Sequence, residues 1–378
     1  MVLASGCASL RTRHPVPPAL VEQARIPGLP GVRTFVHPNH VDLRQIDYSL
    51  TNSGAGSRGQ GRPLTLLALS GGGADGAYGA GVLCGWTAAG NRPSFDIVTG
   101  ISTGALIGPY AFLGETCDQE LKQNYTSLSD RDIFKSRGFF GILRARDSMA
   151  STAPLAKLIE KQIDGPRFEA IAAEHRKGRR FYVGTSDLDA GCAVVWDMGA
   201  IAASGRPDAI KLFRKVLLAS ASIPVVFPPV YFDVEADGKS FDEMHADGGV
   251  ATQVFGAVFL GRLKELTGAA ESRMYLVRNA QLQPQWQAVQ PKLASIAGRA
   301  VGTLIDMQGF GDLYRAFLAA RASHLDFSLA AIPADFEVAR EGQFDPAFMR
   351  ALFERGYEQA RGGFPWAKAP PALEMINR

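Results

Sequence analysis

Residues 63–81 read PLTLLALSGGGADGAYGAG, a short apolar run followed at once by a cluster of glycines. The run Pro63–Ser70 predicts a buried strand, and Tyr78–Ala89 predicts the helix after it. Glycines let the backbone turn sharply here and leave several N–H groups unpaired at the start of the helix. Because such groups and the helix dipole favour negative charge, the turn predicts a site for a phosphate or an oxyanion.

The stretch at residues 96–113, DIVTGISTGALIGPYAFL, repeats this strand–turn–helix pattern. It predicts a strand over Asp96–Ile101 and a helix over Gly104–Leu113. The turn between them, Gly100–Gly104, has the form GxSxG, in which a serine projects from a sharp strand-to-helix turn as a nucleophile. Ser102 is therefore the candidate nucleophile.

The rest of the chain continues to alternate between the two patterns. Further strands are predicted at Phe181–Thr185, Ala193–Asp197 and Arg273–Arg278, and helices at Lys211–Ser220 and about 285–321. Alternating strands and helices predict an α/β fold, with a mainly parallel central sheet between two layers of helices. Residues 280–378 are expected to be mainly helical.

Composition narrows the possible classes of function. The chain has 378 residues, 20% of them charged, and a net charge of +3, with no dense run of Lys or Arg. A nucleic-acid partner is therefore not expected. No Cys/His cluster has the spacing of a metal site, and we expect neither a metal nor an organic cofactor.

The first 62 residues differ in character from the remainder. Leu3–Cys7, LASGC, resembles the end of a bacterial lipoprotein signal, with Cys7 as the lipidation candidate, although only six residues precede it. The following Pro-rich tract predicts an extended arm, and Thr51–Arg62 a flexible linker. We therefore predict a signal remnant and tether over residues 1–62 and a separate folded domain over 63–378, which carries the candidate nucleophile. A membrane-anchored lipoprotein of the cell envelope is expected, and a cytoplasmic protein is the alternative.

The glycine cluster also matches the dinucleotide pattern GxGxxG through Gly71, Gly73 and Gly76. That pattern requires an acidic residue at the end of the second strand, whereas Asp96 lies before this strand. No GK[ST] is present to form a P-loop. An oxyanion site is therefore favoured over a nucleotide site.

A serine nucleophile needs a base, and the candidates lie in His245–Gly249, HADGG. Asp247 is followed by two glycines, Gly248 and Gly249, which allow its carboxylate to point across the edge of the sheet. If this segment is a strand, His245 and Asp247 share a face. Asp247 lies 145 residues after Ser102, so the pairing depends wholly on the fold.

Together these motifs resemble the patatin-like phospholipase family, which combines GGGxxG, GxSxG and DG[GA] in this order. Two further stretches are similar to the family: residues 219–229, ASASIPVVFPP, and residues 344–357, FDPAFMRALFERGY, the latter in bacterial lipoprotein-like members. The core motifs span residues 64–249. The resemblance implies a Ser102–Asp247 dyad that works without histidine. It also implies an oxyanion hole built from backbone N–H groups, for which the candidates are Gly71, Gly72, Gly73 and, as an accessory, Thr103.

The same resemblance implies a phospholipid, lysophospholipid or other acyl ester as substrate, and contact with a membrane surface. Many members have Arg or Lys where this chain has Asp75, which leaves open a catalytically silent lipid-binding protein of the same fold. Acyl transfer to an acceptor other than water is a further alternative. A Ser–His–Asp triad through His245 also stays open, with Gly248 as another accessory residue.

Overall fold

The computed structural model of the chain describes residues 12–37, 40–41, 63–136, 148–256 and 272–371. Within these ranges the strands are β1 (Arg33–His37), β2 (His40–Val41), β3 (Thr65–Leu69), β4 (Ile97–Ile101), β5 (Lys135–Ser136), β6 (Ala150–Ser151), β7 (Arg180–Asp187), β8 (Cys192–Asp197), β9 (Val230–Ala236), β10 (Lys239–Asp247), β11 (Arg273–Gln281) and β12 (Asp326–Ile332). The α-helices are α1 (Gly76–Ala88), α2 (Thr103–Leu113), α3 (Asp118–Thr126), α4 (Asp130–Ile133), α5 (Ala153–Gln162), α6 (Gly165–Arg176), α7 (Met198–Ala203), α8 (Ala209–Ser220), α9 (Leu293–Ala322) and α10 (Pro346–Arg361). Short 3-10 helices occupy Pro18–Gln23, Gly73–Asp75, Glu115–Cys117 and Gly248–Val250.

Ten of the strands in the described ranges form one sheet, in the order β12–β11–β3–β4–β7–β8–β1–β2. Strand β10 pairs with the end of β7, and β9 pairs with β10. The neighbours from β12 to β7 are parallel, whereas β8, β1, β2, β10 and β9 are antiparallel. The predicted α/β fold is confirmed. The parallel strands form one side of a mixed sheet, from the edge strand β12 to β7, and antiparallel strands extend the sheet beyond β7.

Helices cover both faces of this sheet. Side chains alternate between the faces along each strand. On β3, Leu67 and Leu69 pack into one apolar cluster with α1, α2, α8 and α10, while Leu66 and Ala68 pack into another. The second cluster includes Leu313 and Phe317 of α9. The two clusters establish the predicted three-layer arrangement.

The described part of the Pro-rich N-terminal segment is packed into the fold and does not form the predicted extended tether. Residues 33–36 of β1 pair with β8, and Ala24 and Ile26 are buried. Arg33 is also buried, and its guanidinium is paired with the buried carboxylate of Glu243 on β10. Pairing with β1 covers the edge of β8, which would otherwise expose a row of unpaired backbone groups. The predicted linker at 51–62 lies outside the described residues.

The C-terminal portion contains the predicted helices α9 and α10, but it also supplies a strand. β12 pairs in parallel with β11 and lies at the edge of the sheet, although the sequence analysis placed no strand there. α10, which contains most of the 344–357 motif, packs along α1, and the Tyr78 hydroxyl donates to Gln359 over 3.2 Å. Among the described residues, no helix is both long enough and apolar enough to cross a membrane.

Candidate active site

Ser102 lies on the turn between β4 and α2 and has backbone angles of φ 53° and ψ −122°. This conformation is unfavourable for a residue with a side chain and costs about 1–3 kcal/mol, a strain that proteins retain mainly at functional sites. Residue 104 must be glycine for a steric reason, because a Cβ there would lie 2.4 Å from the carbonyl oxygen of Leu69. The GxSxG motif thus has the geometry of a nucleophile elbow.

The strained turn is held by the 219–229 motif. The backbone N–H of Ser102 donates to the Ser220 hydroxyl over 3.0 Å, and this hydroxyl donates to the carbonyl of Gly184 on β7 over 2.7 Å. Ser220 therefore links the elbow to the neighbouring strand. The 219–229 motif is recognisable from the sequence, but its local pattern does not indicate this role for Ser220.

Strand β7 brings Ser102 and Asp247 together. In the parallel pairing, Ile101 at the end of β4 is opposite Gly184. In the antiparallel pairing, Asp247 at the end of β10 is opposite Thr185, the next residue of β7. Strands β4 and β10, which are far apart in sequence, therefore end opposite adjacent residues of β7. Gly248 lies against the same strand, since a Cβ there would be 2.5 Å from the Gly184 oxygen.

Asp247 is a buried carboxyl with one oxygen engaged and one free. Its Oδ1 accepts from the backbone N–H of Gly249 over 2.7 Å, and its own N–H donates to the Ser222 carbonyl over 2.8 Å. Oδ2 has no hydrogen-bond partner among the described residues. Burial raises the pKa of Asp247 to about 7, while the Ser102 hydroxyl and the Gly249 N–H oppose that rise. A carboxyl with this pKa can exchange protons near neutral pH.

The glycine-rich loop places two backbone donors at the start of the short helix Gly73–Asp75. Gly72 and Gly73 have φ angles of 152° and 56°, and their N–H groups have no hydrogen-bond partner among the described residues. The N–H of Gly71, in contrast, donates to the Gln253 carbonyl over 3.3 Å. Of the three predicted oxyanion glycines, the structure therefore leaves Gly72 and Gly73 free and engages Gly71. Thr103 is the first residue of α2, and its hydroxyl bonds the Tyr125 hydroxyl over 2.8 Å.

Asn279 on β11 holds both ends of the glycine-rich loop, a role that no sequence motif predicts. Its side-chain amide donates to the Ser70 carbonyl over 2.9 Å and accepts from the Gly79 N–H over 3.1 Å. Its backbone N–H donates to the Ser70 hydroxyl over 2.8 Å. Only glycine fits at position 72, because a Cβ there would lie 2.2 Å from the backbone carbonyl oxygen of Asn279. The sequence feature that could have indicated this role is a polar residue inside the apolar strand pattern YLVRNA.

Gln253 connects the glycine-rich loop to the turn after Asp247. Its carbonyl accepts from Gly71, and its side-chain amide donates to the Gly249 carbonyl over 3.2 Å. Its own backbone N–H donates to the buried carboxylate of Asp312 on α9 over 2.6 Å. Helix α9 thereby supports both the glycine-rich loop and the turn that carries Asp247.

Asp75, the residue that departs from the family pattern, forms an ion pair with Arg340. Nη1 of Arg340 donates to Oδ1 of Asp75 over 3.1 Å. Burial raises the pKa of Asp75 to about 6, with a smaller contribution from Asp306, and Arg340 opposes the shift. The carboxylate next to the glycine-rich loop is therefore neutralised by a cation from a distant segment.

His245 does not reach the Ser102–Asp247 pair through either ring nitrogen. Its Nδ1 bonds the Thr185 hydroxyl over 2.8 Å, and its Nε2 bonds Glu243 over 3.2 Å. A cluster of potential metal ligands is formed by Asp187, Glu243 and His245, whose ligand atoms lie within 4.8 Å of one another. Because Glu243 is already paired with Arg33, the cluster is a satisfied buried network.

The predicted lipidation site, Cys7, lies outside the described residues, and the lipid anchor stays a prediction. The other cysteines, Cys84, Cys117 and Cys192, are free thiols, and Cys84 and Cys192 are buried.

A serine on a strained elbow, a buried carboxyl beside it and a loop with free N–H groups define the class of serine-hydrolase folds. A family model described as patatin-like phospholipase matches residues 67–257, slightly more than half of the chain. The chain belongs to the patatin-like phospholipase family. Membership supports lipid hydrolysis as the general activity.

Among solved structures, VipD from Legionella pneumophila has 12% sequence identity and a TM-score of 0.38, over 80% of this chain. The chain spans 66% of that VipD chain, slightly less than two thirds. No curated protein matches the chain.

Proposed function

We propose that the chain is a serine acyl hydrolase of lipid esters, of the phospholipase A or lysophospholipase type, that uses Ser102 and Asp247 as a dyad. The observation that carries this proposal is the register of β7, which places Asp247 next to the residue that pairs with Ile101. The strained elbow and the free Oδ2 of Asp247 support it. The engagement of both His245 nitrogens by other residues favours a dyad over a triad.

In the proposed reaction, the Ser102 hydroxyl oxygen attacks the ester carbonyl carbon, and its proton passes to Oδ2 of Asp247. The N–H groups of Gly72 and Gly73 stabilise the oxyanion, and each such donor typically contributes about 100-fold or more in rate. Collapse of the intermediate breaks the bond to the alcohol, which leaves with the proton from Asp247. Water then gives a proton to Asp247 and attacks the acyl-serine, and release of the fatty acid returns the proton to Ser102.

The test is covalent labelling with a fluorophosphonate, read by intact mass and peptide mapping. We expect one adduct, on Ser102, and none in Ser102→Ala. Loss of the base in Asp247→Asn should slow labelling by about 100-fold or more. The matched control Asp233→Asn changes an exposed carboxyl on the neighbouring strand β9 and should label like the wild type.

Either of two results would contradict the proposal. Labelling at another serine would exclude Ser102 as the nucleophile. Folded wild-type protein that forms no adduct would favour the silent lipid-binding protein instead.

Acyl transfer to an alcohol would use the same residues as hydrolysis, so a second experiment analyses the products of a labelled ester in the presence of an alcohol acceptor. Free fatty acid as the main product supports hydrolysis.

A further inference from the structure

The side-chain amide of Gln253 lies between the nucleophile and the base of the candidate active site. At residue 249, a Cβ would collide with Nε2 of Gln253 and would lie 3.0 Å from Oδ1 of Asp247. At residue 71, a Cβ would lie 2.7 Å from Oε1 of Gln253 and 3.5 Å from the Cβ of Ser102. The nitrogen of this amide is therefore on the side of the base, and its oxygen is on the side of the nucleophile.

The hydrogen bonds of the amide determine which end faces which group. Nε2 donates to the carbonyl oxygen of Gly249 over 3.2 Å. A carbonyl oxygen only accepts, so the amide cannot turn around without placing two acceptors against each other. Oε1 is thus the end that borders Ser102. It accepts no hydrogen bond from the residues that the structure describes.

A second acceptor borders the same serine. Oδ2 of Asp247 also has no hydrogen-bond partner in the described part of the chain. Ser102 and Gln253 are each 7% exposed and Asp247 is 5% exposed, so bulk solvent hardly reaches these groups. Buried acceptors without donors are rare in folded proteins and require an explanation. Two of them beside one serine match a small molecule with two O–H bonds, and water, the co-substrate of hydrolysis, is such a molecule.

We propose that Gln253 orients the water that hydrolyses the acyl-serine, with one hydrogen of this water directed to Oδ2 of Asp247 and the other donated to Oε1 of Gln253. The proposal rests on the proposed acyl hydrolysis and names a third catalytic residue for its second step. The water oxygen forms a bond to the acyl carbon while Asp247 takes one proton, and the hydrogen held by Gln253 stays on that oxygen. Collapse then breaks the bond between the acyl carbon and the oxygen of Ser102, and Asp247 returns its proton to the serine.

This arrangement also discriminates between acyl acceptors. An alcohol has a single O–H, whose proton goes to Asp247, so it has no hydrogen left for Gln253. Water therefore makes one hydrogen bond in the transition state that an alcohol does not make, and hydrolysis is favoured over acyl transfer. One such bond should correspond to about a ten-fold difference in rate.

The test measures how the acyl-enzyme divides between water and methanol. The protein is acylated with p-nitrophenyl octanoate at a fixed methanol concentration, and methyl octanoate and octanoic acid are quantified by mass spectrometry. We expect Gln253→Met, which keeps the length of the side chain and removes the amide, to raise the ratio of ester to acid by about ten-fold. General damage to the site would slow both reactions, because both use the same serine, base and oxyanion donors. An unchanged ratio in folded Gln253→Met would therefore overturn the proposal.

Gln281→Met is the matched control. The Nε2 of Gln281 also donates to backbone carbonyl oxygens, those of Pro333 and Phe336, each over 3.1 Å, and neither belongs to the glycine-rich loop or to the turn after Asp247. This variant should keep the wild-type ratio, and an equal rise in both variants would refute the role of Gln253.

A milder substitution keeps the test decisive if Gln253→Met does not fold. Gln253→Asn withdraws the amide oxygen by one carbon and should raise the ratio by a smaller factor. A ratio equal to that of the wild type would again overturn the proposal. Wild-type protein that releases neither acid nor ester would refute acyl hydrolysis and, with it, the role of Gln253. Wild-type protein that hydrolyses the ester, with no change of ratio in the variants, would refute only the role of Gln253.

Discussion

Replacing Asp247 by asparagine should make the protein more stable while it removes the proposed base. Folding raises the pKa of this carboxyl from 3.8 to about 7, and burial is the main cause. Each pKa unit corresponds to 1.36 kcal/mol, so ionised Asp247 costs the folded state about 4 kcal/mol at pH 8. Asparagine keeps the oxygen that accepts from Gly249 and carries no charge. Most of this cost is therefore expected to disappear in Asp247→Asn.

The sign of the pH dependence follows from the same shift. Between pH 4 and 7 the folded protein holds a proton on Asp247 that the unfolded chain has lost, so this residue makes stability fall as the pH rises. The advantage of Asp247→Asn should accordingly shrink from about 4 kcal/mol at pH 8 to about 2 kcal/mol at pH 5. Hydrolysis should show the complementary pattern, with kcat/KM rising about ten-fold per pH unit up to about pH 7 and then levelling off.

Urea denaturation of wild type and Asp247→Asn, followed by circular dichroism at both pH values, measures the difference in unfolding free energy. Asp233→Asn serves as the control and should show no pH-dependent difference of this size. An Asp247→Asn variant that is no more stable than wild type at pH 8 would refute the raised pKa. A kcat/KM profile that is flat between pH 5 and 8 would refute the role of Asp247 as base.

Two further predictions concern residues around the site. Asn279→Asp replaces the amide that donates to the Ser70 carbonyl with a carboxylate oxygen, so the glycine-rich loop should lose the hydrogen bond that holds it. In steady-state hydrolysis we expect kcat to fall about 100-fold, with KM little changed. A parallel rise in KM of the same size would indicate general damage to the fold. His245→Ala removes one buried hydrogen-bond partner each from Thr185 and Glu243 and should cost about 2 kcal/mol or more in thermal or urea denaturation. Fluorophosphonate labelling of this variant, at a temperature where it is folded, should stay within a few-fold of wild type, and its loss would restore the triad.

Local sequence predicted the elements that carry the nucleophile and the glycine-rich loop. The strands expected at Pro63–Ser70 and Asp96–Ile101 are observed as β3 and β4, and the helices that follow begin within two residues of their expected starts. This agreement has a local cause. Apolar runs of this length form buried strands, and the glycines between strand and helix permit the tight turn at Ser102. The Ser–Asp pairing itself came from resemblance to a family.

The tertiary structure decided how distant segments meet. Asp247 reaches the elbow because β7 is long enough to pair with β4 along one half and with β10 beyond it. Asn279 and Arg340 reach the glycine-rich loop from segments more than 200 residues later in the chain. The sequence around each of these residues carries only a weak local pattern. Their roles arise from strand register and helix packing, which depend on the free energy of the whole fold and not on neighbouring residues alone.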